Sequence, residues 1–461
     1  MAVLAAMAVP HPPLIIPEVG RGEQQKIAPT IAAYQQVMER TAALRPDTVV
    51  ILSPHTVMYA DYFHISPGSR AVGSFAAFRA PQVRIETDYD AEFAKALADF
   101  CATGDLPAGM LGEKQPELDH GTMIPLYFLQ QHLRNTPVVR IGLSGLPARE
   151  HYRFGQYIAA VAEKLGRRII LIASGDLSHK LKEDGPYGFA SEGSVFDERM
   201  QAVFRSGDFL SLLLTPADLA NGAAECGLRS FWIMAGALDS RRVRAELLSY
   251  QGPFGVGYGV GWFLPGEPDG TRNIGQQFAQ CERAAMQEIR NREDSLVKLA
   301  RLSLETFVRT QRLAAVPAEL SAALQNRRCG AFVSLKKDGC LRGCIGTIQP
   351  VRQNLAEEIL YNAISAGTRD PRFSPVTPDE LDFLVYDVDV LTEPEPIDSP
   401  QQLDVKRYGV IVQNGDRRGL LLPDLPGVDS VSQQIDIARR KGNIGERDSY
   451  QLWRFTVERH I

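Results

Sequence analysis

Three histidines stand where an apolar run ends: His11 in Val9-Pro10-His11-Pro12-Pro13, His55 in Ser53-Pro54-His55, and His179 in Gly175-Asp176-Leu177-Ser178-His179. A parallel α/β sheet builds its site at the carboxyl ends of its strands, where side chains from distant segments converge. The chain has only eight histidines, so this placement makes the first half read as an enzyme.

Strand-like and helix-like segments alternate through that half, the pattern of an α/β layer fold. Residues 23–44, 90–101 and 151–165 read as helices, and residues 48–52, 138–143 and 168–173 as buried strands. Helices over 195–214 and 228–238 precede a closing strand pair at 245–250 and 255–263. A chain of 461 residues exceeds what one core usually supports. The turn-forming string Leu264-Pro265-Gly266-Glu267-Pro268-Asp269-Gly270 therefore marks a boundary, giving a first domain over 1–265, a linker over 266–293 and a second domain over 294–461.

The second domain has a different grammar. Helices are expected over 296–308, 354–366 and 430–440, with strands at 381–391 and 450–457. Two hairpins are expected, one around Lys337-Asp338-Gly339 and one around Asn414-Gly415. The fold class that follows is an α/β first domain, a largely parallel sheet with flanking helices, and a smaller α+β second domain built on antiparallel hairpins.

Composition narrows the function classes. Hydrophobic content of 44% and charged content of 23% describe an ordinary globular protein. A net charge of -5 and a pI near 6.0 argue against a nucleic-acid partner. No apolar stretch is long enough to span a membrane, and the run over residues 3–9 lacks the basic flank of a signal peptide. A cytoplasmic location is expected. Six cysteines scattered over this length read as reduced thiols rather than a disulfide framework.

Two imidazoles and one carboxylate hold a divalent ion on one face and leave the other open, as in non-haem Fe(II) oxygenases. His11 and His55 are the imidazole candidates, and Glu225 is the carboxylate candidate. With His-Pro-Pro, Ser-Pro-His, Asp119-His120-Gly121, Gly-Asp-Leu-Ser-His and the late Glu225 in this order, residues 1–265 resemble the class III extradiol ring-cleavage dioxygenases. They also resemble the Memo proteins, which share that fold. The resemblance implies Fe(II) held by His11, His55 and Glu225, with a catechol-type diol and dioxygen as substrates of an oxidoreductase. His179 would then act as base and His120 as acid, since imidazole titrates near neutrality. Asp176 would orient His179 or a bound water, or else cap the turn after its strand.

Cys226 lies beside Glu225, and the Memo branch uses a cysteine at the matching position. Neighbours in sequence usually point different ways, so only one of the two is expected to bind. A carboxylate keeps the ion in the oxygenase class, whereas a thiolate suits copper or zinc and would mark a non-catalytic metal-binding or scaffold protein. Glu225 is the preferred ligand, because an unpaired carboxylate buried there would be costly. Tyr187, Phe189 and Tyr258 are aromatic residues available to line a ring pocket, although most such residues are core. His64, His132 and His151 read as surface or packing residues.

In the second domain, Leu341-Arg342-Gly343-Cys344-Ile345-Gly346-Thr347 and Arg369-Asp370-Pro371-Arg372-Phe373 resemble the AMMECR family, from about residue 295 onward. Cys344 reads as a small strand residue or a reactive thiol, and Arg342 as a planar cation for an anionic group. Three thiols without a nearby histidine make a poor zinc site, so no metal is assigned there. The fusion resembles the AmmeMemoRadiSam system, which implies a separate radical S-adenosylmethionine protein as partner, and a homo-oligomer is the other association considered. The chain itself has no Cys-x3-Cys-x2-Cys motif.

Overall fold

The computed structural model describes residues 2–461 except 318, 319, 321–323, 325 and 426. It divides into two compact units, Met1–Cys281 and Glu282–Ile461. The stretch read as a linker holds the end of a strand and the whole of a helix, Ile274–Arg292.

The first unit is built on six strands: β1 (Val3–Val9), β2 (Thr48–Ser53), β3 (Val138–Gly142), β4 (Ile169–Ser174), β5 (Arg241–Gln251) and β6 (Tyr258–Pro268). Their order is β3-β2-β4-β1-β6-β5. The first four strands of that order run parallel, and β6 and β5 close the sheet antiparallel. The central strands are apolar without interruption because both faces are covered. Ala6 and Ala8 of β1 pack into one core with helices α2 (Ala91–Thr103) and α4 (Ala148–Leu165), while Ala5, Met7 and Val9 pack into the other with α1 (Ala28–Leu44) and α3 (His120–Leu129). Beyond these lies α5 (Leu228–Ala237), which packs on the side of α4.

Some elements depart from the periodic reading. Residues 195–214 are two helices, Ser191–Ser206 and Phe209–Leu213, because Gly207 turns left-handed at φ 69° and stops the first. Residues 23–27 form a 3-10 turn before α1, whose first turn carries Pro29.

The second unit has two antiparallel four-stranded sheets. In chain order the strands are β7 (Ala331–Lys337), β8 (Cys340–Gly346), β9 (Leu384–Leu391), β10 (Glu395–Ile397), β11 (Gly409–Asn414), β12 (Arg417–Leu421), β13 (Gln451–Phe455) and β14 (Val457–His460). One sheet runs β8-β7-β9-β14 and the other β10-β13-β11-β12. The last segment was expected as one strand but divides at Thr456, so that β13 pairs with β10 and β11 while β14 pairs with β9. No helix among the described residues is long and apolar enough to cross a membrane.

Candidate metal centre

The carboxyl ends of β1, β2 and β4 deliver the side chains that the strand-end motifs announced. His11 follows β1 and is buried, with its main-chain N–H donating to Asp176 Oδ1 at 2.7 Å and its ring Nδ1 lying 2.9 Å from Ser174 Oγ. His55 follows β2, and its N–H donates to Ser53 Oγ at 3.2 Å. The two rings meet with Nε2 3.0 Å from Nε2. Cys226 Sγ lies 3.5 Å from His11 Nε2. The three ligand atoms of His11, His55 and Cys226 all lie within 4.8 Å of one another.

Those spacings can be checked against a shared ion. Metal bonds of ~2.0–2.1 Å to nitrogen and ~2.3 Å to sulfur, at tetrahedral angles, separate two nitrogens by about 3.3 Å and a nitrogen from a sulfur by about 3.6 Å. The observed contacts of 3.0 Å between the imidazoles and 3.5 Å from His11 to the sulfur fall close to both values. Both pairs that involve His11 therefore suit one ion, while His55 and Cys226, within 4.8 Å of each other, would have to draw closer to share it.

Glu225, the expected carboxylate ligand, is not among the three residues gathered here. Its carboxylate accepts the Leu228 N–H at 2.6 Å, at the free amino end of α5, and is thereby turned to the helix. Burial pushes the Glu225 carboxyl up to about 7, against the Leu228 N–H and Arg229, which lower it. The neighbouring thiol faces the other way. Asp176 N–H donates to Cys226 Sγ at 3.2 Å, and burial, with Asp176 and Glu225 nearby, holds that thiol well above its ordinary range. Gly175 permits this approach, since a Cβ there would stand 2.1 Å from Gly227 Cα.

His120 and His179 border the group. His120 opens α3, and its ring centroid lies 4.0 Å from that of His55 and 5.4 Å from that of His11. Burial, reinforced by His55 and His11, brings His120 down to about 3. Burial likewise brings His11 to about 3, with His55 as the next cause, so both rings are neutral near pH 7. His179 Nδ1 is buried with no hydrogen-bond partner among the described residues, and its ring stands edge-on to Tyr187 at 5.1 Å.

Asp176 is buried beside the group and interacts electrostatically with His179. Its Oδ1 holds the His11 main chain, and burial raises its carboxyl to about 6. Tyr187 and Phe189 are exposed, whereas Tyr258 is a core residue rather than a pocket wall. His151 and His64 are buried packing residues.

Two further carboxylates, Asp197 and Asp119, hold the loops in place. Asp197 accepts the Ser178 N–H and the Tyr250 hydroxyl, each at 2.7 Å, and so fixes the turn that carries His179. Asp119 accepts Ser53 Oγ at 2.6 Å, Thr56 Oγ1 at 2.7 Å and Thr122 Oγ1 at 2.8 Å, and it caps α3 through the Thr122 N–H. It thus ties the flanks of His55 to the helix that begins with His120. Arg140 Nε stands 3.7 Å from this carboxylate, with the Arg140 side chain only 1% exposed. Burial works to raise Asp119, but Arg140 and the three hydroxyls outweigh it and hold the carboxyl below its ordinary value. Besides the motif Asp119-His120-Gly121, the sequence carries a second signal, an arginine inside the apolar strand Val-Val-Arg-Ile-Gly.

The comparisons with known proteins agree with this architecture. Residues 5–261 match the family described as the catalytic LigB subunit of aromatic ring-opening dioxygenase. The chain belongs to the LigB family. Residues 297–460 match the AMMECR1 family, so the protein is a fusion of a LigB domain and an AMMECR1 domain. A protein of Clostridium acetobutylicum is 39% identical over 463 residues, covering 98% of each chain. A protein of Thermotoga maritima is 52% identical over 170 residues, which is 36% of this chain and 98% of that protein. Among solved structures, a Pyrococcus horikoshii protein is 32% identical over 36% of this chain and 88% of its own, with a TM-score of 0.34.

In the AMMECR1 domain, Arg342 is already paired with a carboxylate through Nε and Nη2. Its guanidinium pairs with Glu380 through two contacts of 2.9 Å, and Lys337 Nζ joins at 3.0 Å. Cys344 is half-buried, its N–H donating to Asp370 Oδ2 at 2.9 Å and its Sγ accepting from Ser334 Oγ at 3.3 Å. Burial works to raise Glu380, but Arg342, the Thr377 N–H and Lys337 outweigh it and bring the carboxyl from 4.5 to about 2. A carboxyl lowered by folding stabilises the folded state above its unfolded value and loses that contribution as pH falls through the folded one. The AMMECR1 domain should therefore lose stability between pH 4.5 and 2. Glu380→Gln should remove that acid-labile share and cost about 1 kcal/mol at neutral pH, a small value because solvent screens part of the cluster. Calorimetry across that pH range checks both; equal acid slopes for the two proteins would contradict the assignment.

Proposed function

We propose that the LigB domain holds one metal ion on His11 Nε2, His55 Nε2 and Cys226 Sγ, and that the ion is copper or zinc. The observation that supports this is the sulfur within reach of both imidazoles while the Glu225 carboxylate is engaged at Leu228 N–H. Thiolate ligands favour soft ions, whereas the open-faced Fe(II) site needs a carboxylate in that place. Three protein ligands leave a coordination position for a further group. An ion so held supplies Lewis-acid polarisation of whatever occupies that position. His120 and His179 are the residues proposed to hold or move a proton beside it, supported by their position next to the ligand imidazoles. Asp176 keeps the His11 backbone and the Cys226 sulfur in register.

A second reading is Fe(II)-dependent extradiol cleavage of a catechol-type diol with dioxygen. Family membership supports it, as do the two further imidazoles. It requires Glu225 to leave the Leu228 N–H and reach the histidines. A separate radical S-adenosylmethionine protein stands as the proposed partner under either reading, supported by the LigB and AMMECR1 combination.

Metal analysis of the full-length protein purified with and without air, joined to oxygen uptake over a panel of catechols, separates the two. Near-stoichiometric copper or zinc with no diol-dependent oxygen uptake is expected. Bound iron with diol-dependent uptake would replace this proposal with the second reading.

A further inference from the structure

The hydroxyl of Ser174 has a single hydrogen, and its contacts show where that hydrogen goes. Ser174 Oγ donates to the Gly121 carbonyl at 2.6 Å. A carbonyl is an acceptor only and has nothing to give back. The same Oγ lies 2.9 Å from His11 Nδ1. With its proton committed to Gly121, Ser174 can meet the ring solely as an acceptor, so the hydrogen in that contact belongs to Nδ1. Ser174 is fully buried at the end of β4, and no solvent competes for either bond.

The position of the Gly121 carbonyl is itself constrained. A Cβ on Gly121 would stand 2.5 Å from Ser53 Oγ and 3.3 Å from His55 Cδ2, so the helix start is seated directly against the His55 ring. The main chain of Ser174 is pinned as well, its carbonyl accepting Ser230 Oγ at 2.9 Å. The donor chain therefore runs in one direction, from His11 Nδ1–H to Ser174 to Gly121, with both ends fixed by packing.

A ligating imidazole is neutral and carries one N–H. We infer that Ser174 is a positioning residue that fixes His11 as the Nδ1–H tautomer and so presents the bare Nε2 lone pair to His55 and Cys226. This inference rests on the reading of His11 as a metal ligand, and it adds a consequence. Because the chain ends on the first turn of α3, the tautomer of His11 and the placement of His120 are set by the same hydrogen bonds.

Long-range proton–nitrogen NMR on the full-length protein, labelled with nitrogen-15 histidine and recorded with and without Zn(II), reads the tautomer directly. The His11 proton is expected on Nδ1 in both spectra. Ser174→Ala should lose that preference and weaken Zn(II) binding by about 10–100-fold, the usual effect of removing a partner behind a ligating histidine. Ser174→Thr, which keeps the hydroxyl, should retain both. A wild-type spectrum with the proton on Nε2 overturns the inference, as does a folded Ser174→Ala protein that keeps the Nδ1–H tautomer and wild-type Zn(II) affinity. Should the alanine variant not fold, the wild-type spectrum alone decides. Should the wild type show Nδ1–H and yet bind neither Zn(II) nor copper, the metal reading fails while the tautomer assignment stands.

Discussion

Cys226→Ser should lower the affinity of the full-length protein for Zn(II) by more than about 100-fold, beyond the loss typical of a residue that only supports a ligand. A hydroxyl occupies nearly the same space but does not replace a thiolate toward a soft ion. Glu225→Gln, next in sequence, should leave Zn(II) binding within about threefold, since its carboxylate is engaged by Leu228 N–H and not by the imidazoles. Its cost should appear instead in stability, at about 1 kcal/mol for a weakened helix cap. His11→Ala and His55→Ala should each match the serine variant in metal content. Isothermal titration of the four proteins, each first shown to be folded, measures the contrast. A Glu225→Gln protein that loses Zn(II) while Cys226→Ser keeps it would reverse the ligand assignment.

Asp119→Ala should destabilise the LigB domain by about 3–5 kcal/mol, because it leaves the Arg140 guanidinium buried without its counter-charge. For a domain of this size that is roughly a 10 °C fall in Tm. Three hydroxyls lose their acceptor at the same time, including those of Ser53 and Thr56 on either side of His55. Combining Asp119→Ala with Arg140→Met should recover much of the stability, since removing both charges ends the desolvation cost. Metal affinity should not recover with it, because the loop around His55 and the cap of α3 remain unsupported. Calorimetry and Zn(II) titration on the single and double variants test the two halves separately. A single variant that melts within about 2 °C of the wild type would show that Asp119 is not the counter-charge of Arg140.

Most of the fold was legible in the residue pattern for a plain reason. Strands covered on both faces are continuous apolar runs, and β1, β2 and β4 each end in a motif that breaks the run with Pro or Gly and then a histidine. The helix His120–Leu129 was not legible as a helix. Nearly all of its residues are buried and Pro125 lies inside it, so it shows no polar face from which a period could be read. The split at Thr456 was hidden because two strands that share an extended backbone look like one until their partners are known. The meeting of His11 and His55 was readable, since each sits alone at its strand end, whereas the orientation of Glu225 and Cys226 was not. There, one residue of offset decides which side chain faces the imidazoles, and the deciding contact is a helix-end N–H. Asp197 and Ser174 act through buried hydrogen bonds to segments far away in sequence, which no local pattern records.

X-ray absorption at the metal edge of the full-length protein loaded with Zn(II) or copper tests the central claim most directly. One sulfur at ~2.3 Å and two imidazole nitrogens at ~2.0–2.1 Å are predicted in the first coordination sphere. A sphere of nitrogen and oxygen alone, with no sulfur, would contradict the His11, His55 and Cys226 centre.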